Sequence, residues 1–194
     1  LYMVKAILKD DYQTGIYNAS LTIGRIPYYL FYALTIVLLP TISKSTAEND
    51  LARTGKIISN SIRTMLILLV PSVILMSVFA RPIIRLFYSS RFIDAAAPMS
   101  ILVWGVGFLT IFYVLSFVMN GAGRVKTSMW LAILGFIVNA ALNYFFIKSG
   151  GIIGSAIATS LSSALVTLVM LYYIWKYFSV KIEFISLLKM ILAG

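Results

Sequence analysis

Two residue types that serve much of enzyme and metal chemistry are missing from these 194 residues, which contain no cysteine and no histidine. Their absence excludes disulfides, Cys/His zinc sites and catalysis by either side chain within the sequence. Acidic residues are scarce too, with 6 Asp and Glu against 16 Lys and Arg. All six fall in predicted loops or at segment ends. No carboxylate is therefore expected at membrane depth, where a proton relay, a sodium site or an acid–base pair would need one. We expect neither an enzyme, nor a metal site, nor a cofactor.

Apolar residues dominate the composition. They make up 61% of the sequence, charged residues make up 11%, and the mean hydropathy is +0.97. Globular proteins use about 45–50% apolar residues, so the sequence predicts a polytopic membrane protein. Barrel strands would be short and strictly alternating, which leaves an all-α transmembrane helix bundle. The apolar segments are Tyr12–Ser43, Ile57–Tyr88, Ala95–Gly121, Lys126–Lys148 and Gly151–Trp175, and a partial sixth begins near Glu183.

The net charge of +10 would suggest nucleic acid in a soluble protein. In a membrane protein, Lys and Arg more often set topology and contact anionic headgroups, so we expect membrane lipids and not nucleic acid as partners. Five spans would put eight basic residues on one side, in the loops 43–63, 120–126 and 176–183, and six on the other. The bias predicts that the 43–63 loop is cytoplasmic and that the first segment runs from outside to inside.

The stretch GRIPYYLFY, residues 24–32, puts a cation and a proline inside an apolar segment. At 100° per residue, its polar side chains and those just before it share an arc of about 80°. Such a stripe should face protein or a water-filled cavity. Arg25 could line that cavity, pair with an acid elsewhere, or snorkel to the interface; we favour the cavity. The stripe consists of Thr14, Asn18, Thr22, Arg25, Tyr29 and Tyr32.

These side chains indicate the chemistry of a ligand. Arginine binds phosphate in a bidentate manner and stays charged, and tyrosines offer rings and hydroxyls to sugars. The predicted substrate-binding residues are therefore Asn18, Thr22, Arg25, Tyr29 and Tyr32. Because proline cannot donate a backbone hydrogen bond, Pro27 and Pro71 are predicted to bend their helices as hinges.

Two further patterns favour helix packing over ligand binding. Gly135, Asn139 and Asn143 recur every four residues and predict a polar seam against another helix. Small residues recur in the same way from Gly150 to Ser163, which is typical of closely packed helices.

Several motifs, in this order, resemble one family of membrane proteins. They are GIYNASLTIGRIPYYLFYALTIVLLPTISKS, IIRLFYSSRFIDAAAPM, NGAGRVKTSMWLAILGFIVNAALNYFFI and GGIIGSAIATSLSSALV. Together they resemble the polysaccharide or O-antigen flippases of the MOP (MATE-like) exporter superfamily, with the lipid II flippase as a cousin. The resemblance covers nearly the whole sequence.

The resemblance implies a monomeric transporter of two pseudo-symmetric lobes in the cytoplasmic membrane. Residues 1–194 would be most of the second, C-terminal lobe of a longer protein, without the N-terminal lobe. A cationic cavity between the lobes would bind a polyprenyl-pyrophosphate-linked oligosaccharide and flip it by alternating access. In the lipid II branch an Asp-Arg pair precedes a proline; Arg25 matches the arginine, whereas Gly24 replaces the acid.

Two other classes stay open. A cation-coupled multidrug exporter of the MATE type would need buried carboxylates, which the N-terminal lobe could supply. A membrane-embedded transferase would need buried acids or a histidine, and the sequence shows neither.

Overall fold

The computed structural model describes residues 1–48 and 50–178, which fold entirely into helices and short turns. One helix, α7, is interrupted by a non-helical residue, Gly151. The helices in chain order are α1 (Tyr2–Leu8), α2 (Asp11–Gly24), α3 (Ile26–Ala47), α4 (Leu51–Val78), α5 (Ala80–Tyr88), a 3₁₀ helix (Ser90–Ala95), α6 (Ala96–Gly121) and α7 (Val125–Phe178). The predicted all-α membrane bundle is confirmed.

Within residues 1–48 and 50–178, four stretches are long and apolar enough to cross a membrane: Asp11–Ala47, Arg53–Val78, Ser90–Gly121 and Val125–Phe178. The last has 54 residues, more than twice the roughly 20 that one crossing requires. It folds back at Gly151, where φ is +56° and ψ is −135°. Counting its two arms separately gives the five spans that hydropathy indicates. The partial sixth span lies outside the described residues.

The structure corrects two predicted boundaries. The predicted segment Ile57–Tyr88 is not one helix, because Phe79 has non-helical ψ (+23°) and separates α4 from α5. The predicted loop at 43–63 is mostly helical: α3 continues to Ala47, and α4 begins at Leu51 after the N-cap Asp50, whose carboxylate accepts from the Arg53 N–H at 2.9 Å. Charged residues do not mark the helix ends here, since helices can extend beyond the bilayer into water.

The bundle exposes large apolar side chains around its circumference, as a lipid-facing protein does. Leu30, Val37, Leu75 and Phe136 are each more than half exposed. Beneath them lies an apolar core shared by α3, α4, α6 and the second arm of α7, with Ile42, Met65, Leu115 and Met170 among its fully buried members.

A separate cluster packs the end of the bundle where α2 begins. Ile16, Ala19 and Ile23 of α2 pack on Ile84 of α5 and Met99 of α6. A smaller cluster ties α1 and α2 to α6 and α7 through Val4, Tyr17, Leu102, Ile147 and Ala156. The halves of the first span, α2 and α3, thus pack in different clusters.

Candidate functional site

The first span breaks at Arg25, which separates α2 from α3 and has φ −84° and ψ −4°. Its N–H still donates to the carbonyl oxygens of Leu21 and Ile23. Pro27 follows in the first turn of α3, where a proline's missing N–H would have had no helical partner anyway. The predicted disruption near Pro27 is present, although it takes the form of a new helix start. The hinge role of Pro27 stays a prediction.

The Arg25 side chain is exposed, and within residues 1–48 and 50–178 it makes no ion pair. The two ion pairs there are Lys5–Asp11 at 3.2 Å and Arg53–Glu48 at 2.9 Å, both near helix ends. Arg25 lies 14 residues into the 37-residue first span, about 21 Å along its axis from Asp11. The guanidinium thus lies within the apolar first span and has no acidic partner among the described residues.

A groove of about 360 Å³ opens beside this guanidinium, between α3 and α6. Small-molecule sites are usually about 300–1,000 Å³, so the groove can accept a ligand group. Its lining combines one cation, three tyrosines and an apolar floor: Arg25, Tyr28, Tyr29, Val106, Leu109, Phe112 and Tyr113.

Aromatic rings from α3 and α6 cluster along this groove. The ring centroids of Tyr28 and Tyr113 are 5.1 Å apart, and those of Tyr28 and Tyr29 are 5.6 Å apart. Tyr32 stacks on Tyr113 with ring centroids 6.0 Å apart, and the Phe117 ring lies 4.9 Å from that of Tyr113. Arg25 thus stands at the end of a row of aromatic side chains from two helices.

The sequence model of the family described as "Lipid II flippase MurJ" matches residues 8–193. This chain belongs to the lipid II flippase MurJ family. The predicted membership of the MOP superfamily is thereby confirmed, and the chain is a multi-pass protein of the cytoplasmic membrane.

Individual relatives carry related names. The probable low-salt glycan biosynthesis flippase Agl15 of Haloferax volcanii is 24% identical over 88% of this chain and 36% of its own length. The lipid II flippase MurJ of Bacillus subtilis is 27% identical over 70% of this chain and 26% of its own length. The lipid II flippase of Thermosipho africanus is 28% identical over 79% of this chain and 34% of its own length. The chain thus spans about a third or less of the relatives it matches.

The predicted site residues are only partly brought together. Arg25 and Tyr29 line the groove, and Tyr32 adjoins it through Tyr113. Asn18 and Thr22 are also exposed but lie on α2, before the break, outside the groove's lining. The Thr22 hydroxyl donates to the Asn18 carbonyl oxygen at 2.9 Å, within its own helix. Whether any of these residues binds substrate stays a prediction for this MurJ-family chain.

Pro71, the other predicted hinge, lies inside α4, which is helical on both sides of it. A bend there also stays a prediction.

Two of the three groove tyrosines, Tyr28 and Tyr113, were not predicted from the sequence. Tyr28 falls outside the polar arc of the predicted helix, although it lines the same groove as Arg25 and Tyr29. Tyr113 is in α6, a segment whose apolar composition gave no sign of a site. A count of aromatic residues within each span would have drawn attention to the first, since Tyr28, Tyr29 and Tyr32 occur within five residues.

The predicted polar seam of the α7 hairpin is confirmed as a helix-packing network. Asn139 Nδ2 donates to Ser162 Oγ at 2.8 Å, and Asn143 Nδ2 donates to the Asn139 carbonyl at 2.9 Å. Ser155 Oγ donates to Asn143 Oδ1 at 2.6 Å, and the Tyr17 hydroxyl lies 3.0 Å from Ser155 Oγ. The chain of contacts ties both arms of the hairpin to α2.

Proposed function

We propose that this chain is one lobe, the C-terminal one, of a monomeric transporter that flips a polyprenyl-pyrophosphate-linked oligosaccharide across the cytoplasmic membrane. In this proposal Arg25 binds the diphosphate of the substrate. The two lobes expose a cationic cavity alternately to the two sides, with Pro27 and Pro71 as hinges. The protein moves its substrate without changing a covalent bond.

The family and the names of its members support the substrate class. The relatives from Bacillus subtilis and Thermosipho africanus are named lipid II flippases, and the one from Haloferax volcanii a probable glycan biosynthesis flippase. A lipid-linked glycan is the substrate that these names have in common. The proposal extends it to this chain.

The observation that carries the proposal is the state of Arg25. An arginine at membrane depth is unfavourable by at least about 2.5–3.5 kcal/mol unless it is solvated or paired. This one has no acidic partner among the described residues and faces an open groove. A guanidinium forms two parallel hydrogen bonds to a phosphate, and its charge is independent of pH. A diphosphate therefore fits both the charge and the position of the side chain.

The test replaces Arg25 with glutamine in the full-length protein, reconstituted in liposomes with a fluorescent polyprenyl-diphosphate disaccharide. Charge-assisted hydrogen bonds contribute about 1.5–3 kcal/mol to binding. At low substrate concentration we therefore expect the rate of flipping to fall about tenfold to a hundredfold. Arg25→Lys keeps the charge but cannot form the bidentate pair of hydrogen bonds, so its flipping rate should lie between those of wild type and Arg25→Gln.

Arg81→Gln is the matched control, because Arg81 is also exposed but lies on α5, away from the groove. It should flip at the wild-type rate. Wild-type flipping by correctly inserted Arg25→Gln would rule out the assignment of the diphosphate to this side chain.

A further inference from the structure

The tyrosines of the groove form a corner whose rings come from two helices. We propose that Tyr28, Tyr29 and Tyr113 are a stacking subsite for the sugar ring that is joined directly to the diphosphate, with Tyr113 as the residue that recognises the sugar. The inference rests on the proposed function, since it takes Arg25 as the diphosphate ligand. It adds that the groove recognises the first pyranose ring of the substrate as well as its diphosphate.

The rings meet at steep angles, which makes the corner. The planes of Tyr28 and Tyr113 are inclined by 60°, and those of Tyr28 and Tyr29 by 73°. Tyr29 is 62% exposed, so most of its ring is uncovered by the rest of the bundle. Because Tyr29 follows Arg25 by one helical turn, its ring is adjacent to the guanidinium along the groove.

This surface matches a sugar in its chemistry. A pyranose presents C–H groups, which carry a slight positive charge, on its faces and hydroxyls around its rim. Aromatic rings have a negative face, which attracts such C–H groups, and tyrosine hydroxyls can exchange hydrogen bonds with the rim. The rest of the lining, Val106, Leu109 and Phe112, is apolar. An organic cation, the alternative ligand for an aromatic pocket, would be repelled by Arg25.

Tyr113 packs against aromatic neighbours from both α3 and α6. Tyr32 lies nearly parallel to it, with 26° between the planes, and Phe117 lies one turn further along α6. It is also the groove tyrosine carried by α6, which packs against α3, α4 and α7 and does not contain the break at Arg25. A supported ring on a well-packed helix is preorganised for stacking, so its removal should affect sugar affinity more than stability.

The experiment compares two probes that differ only in the sugar: polyprenyl diphosphate and polyprenyl diphosphate carrying one N-acetylhexosamine. Binding to the purified full-length protein in nanodiscs is measured for wild type, Tyr113→Leu, Tyr113→Phe and Arg25→Gln. Tyr113→Leu should weaken the glycosylated probe about three- to tenfold, the range of one aromatic contact, and leave the bare diphosphate unchanged. Tyr113→Phe keeps the ring and should stay near wild type. Tyr172→Leu, at an exposed tyrosine near the C-terminal end of α7, is the control.

Each outcome decides the matter. A wild type that binds both probes equally overturns the sugar subsite, and so does a Tyr113→Leu variant that loses both equally or neither. Arg25→Gln should weaken both probes. If it weakens neither while Tyr113→Leu still discriminates, the diphosphate assignment fails and the sugar subsite stands. Thermal unfolding of Tyr113→Leu within a few degrees of wild type confirms that the variant is folded.

Discussion

Gly154 lies close against the backbone of the opposite arm of the α7 hairpin, and this close approach predicts a large effect for a single methyl group. A Cβ at this position would overlap the carbonyl oxygen of Phe146 and lie 2.6 Å from its carbonyl carbon. Both are backbone atoms of the opposite arm, so no side-chain rotation can relieve the overlap. Gly154→Ala can fit only if the arms separate.

The size of the effect follows from what the separation would break. Overpacking in a dense interior destabilises by about 1–3 kcal/mol. The neighbouring Ser155 hydroxyl, which donates to Asn143 across the hairpin at 2.6 Å, would be pulled away as well. Interhelical hydrogen bonds in membranes contribute about 0.6 kcal/mol on average. We therefore expect Gly154→Ala to lower the free energy of unfolding by roughly 2–4 kcal/mol, as measured by SDS-driven unfolding in mixed micelles.

Gly15→Ala is the matched control. Gly15 lies inside α2 with nothing within 4 Å of the position of a Cβ. Alanine there should be neutral or stabilise by about 0.4–1 kcal/mol, because it restricts the unfolded chain. Equal stability of Gly154→Ala and wild type would refute the close approach of the arms. A similar loss in Gly15→Ala would show that alanine acts through something other than packing.

Two other predictions test the seam and the topology. Asn143→Leu should destabilise the protein by roughly 1–3 kcal/mol, since it leaves the buried Ser155 hydroxyl without its hydrogen bond to Asn143. A double-mutant cycle with Ser155→Ala should show non-additive losses of stability, and additive losses would contradict the network. Cysteine replacements of Lys56 and Leu86, in a full-length protein freed of other cysteines, should react with an impermeant maleimide from the cytoplasmic and the outer side respectively; labelling of both from one side would overturn the predicted orientation.

The spans could be predicted from hydropathy because the bilayer imposes length and composition directly. Their ends could not be, since α3 and α4 continue as helices through the charged residues Lys44 and Arg53. Charged residues indicate where a segment enters water. They do not indicate where the backbone hydrogen bonds of the helix end. The stop within Ile57–Tyr88 was hidden for the opposite reason: Phe79 is as apolar as its neighbours, and only its backbone conformation separates α4 from α5.

The site shows a different limit. Arg25 could be singled out because a mid-span cation is rare and needs a reason. Tyr113 could not be singled out, because its place in the groove depends on the tertiary contact between α3 and α6. An aromatic residue in a membrane span most often serves helix packing. The predicted polar stripe requires one straight helix from Thr14 to Tyr32. The break at Arg25 divides it, which is why Thr22 and Tyr29 lie on different helices.

The same break explains how an arginine and a proline can coexist in the first span. α2 packs through Ile16 and Ile23 in the cluster at the end of the bundle where α2 begins, and α3 packs through Leu38 and its neighbours in the large core. Arg25 belongs to neither cluster, and its side chain is exposed beside the groove. A proline deep in a helix disrupts a hydrogen bond and clashes with the preceding turn, whereas one in the first turn does neither. The chain tolerates both residues because they lie where one helix ends and the next begins, and that junction opens onto the groove.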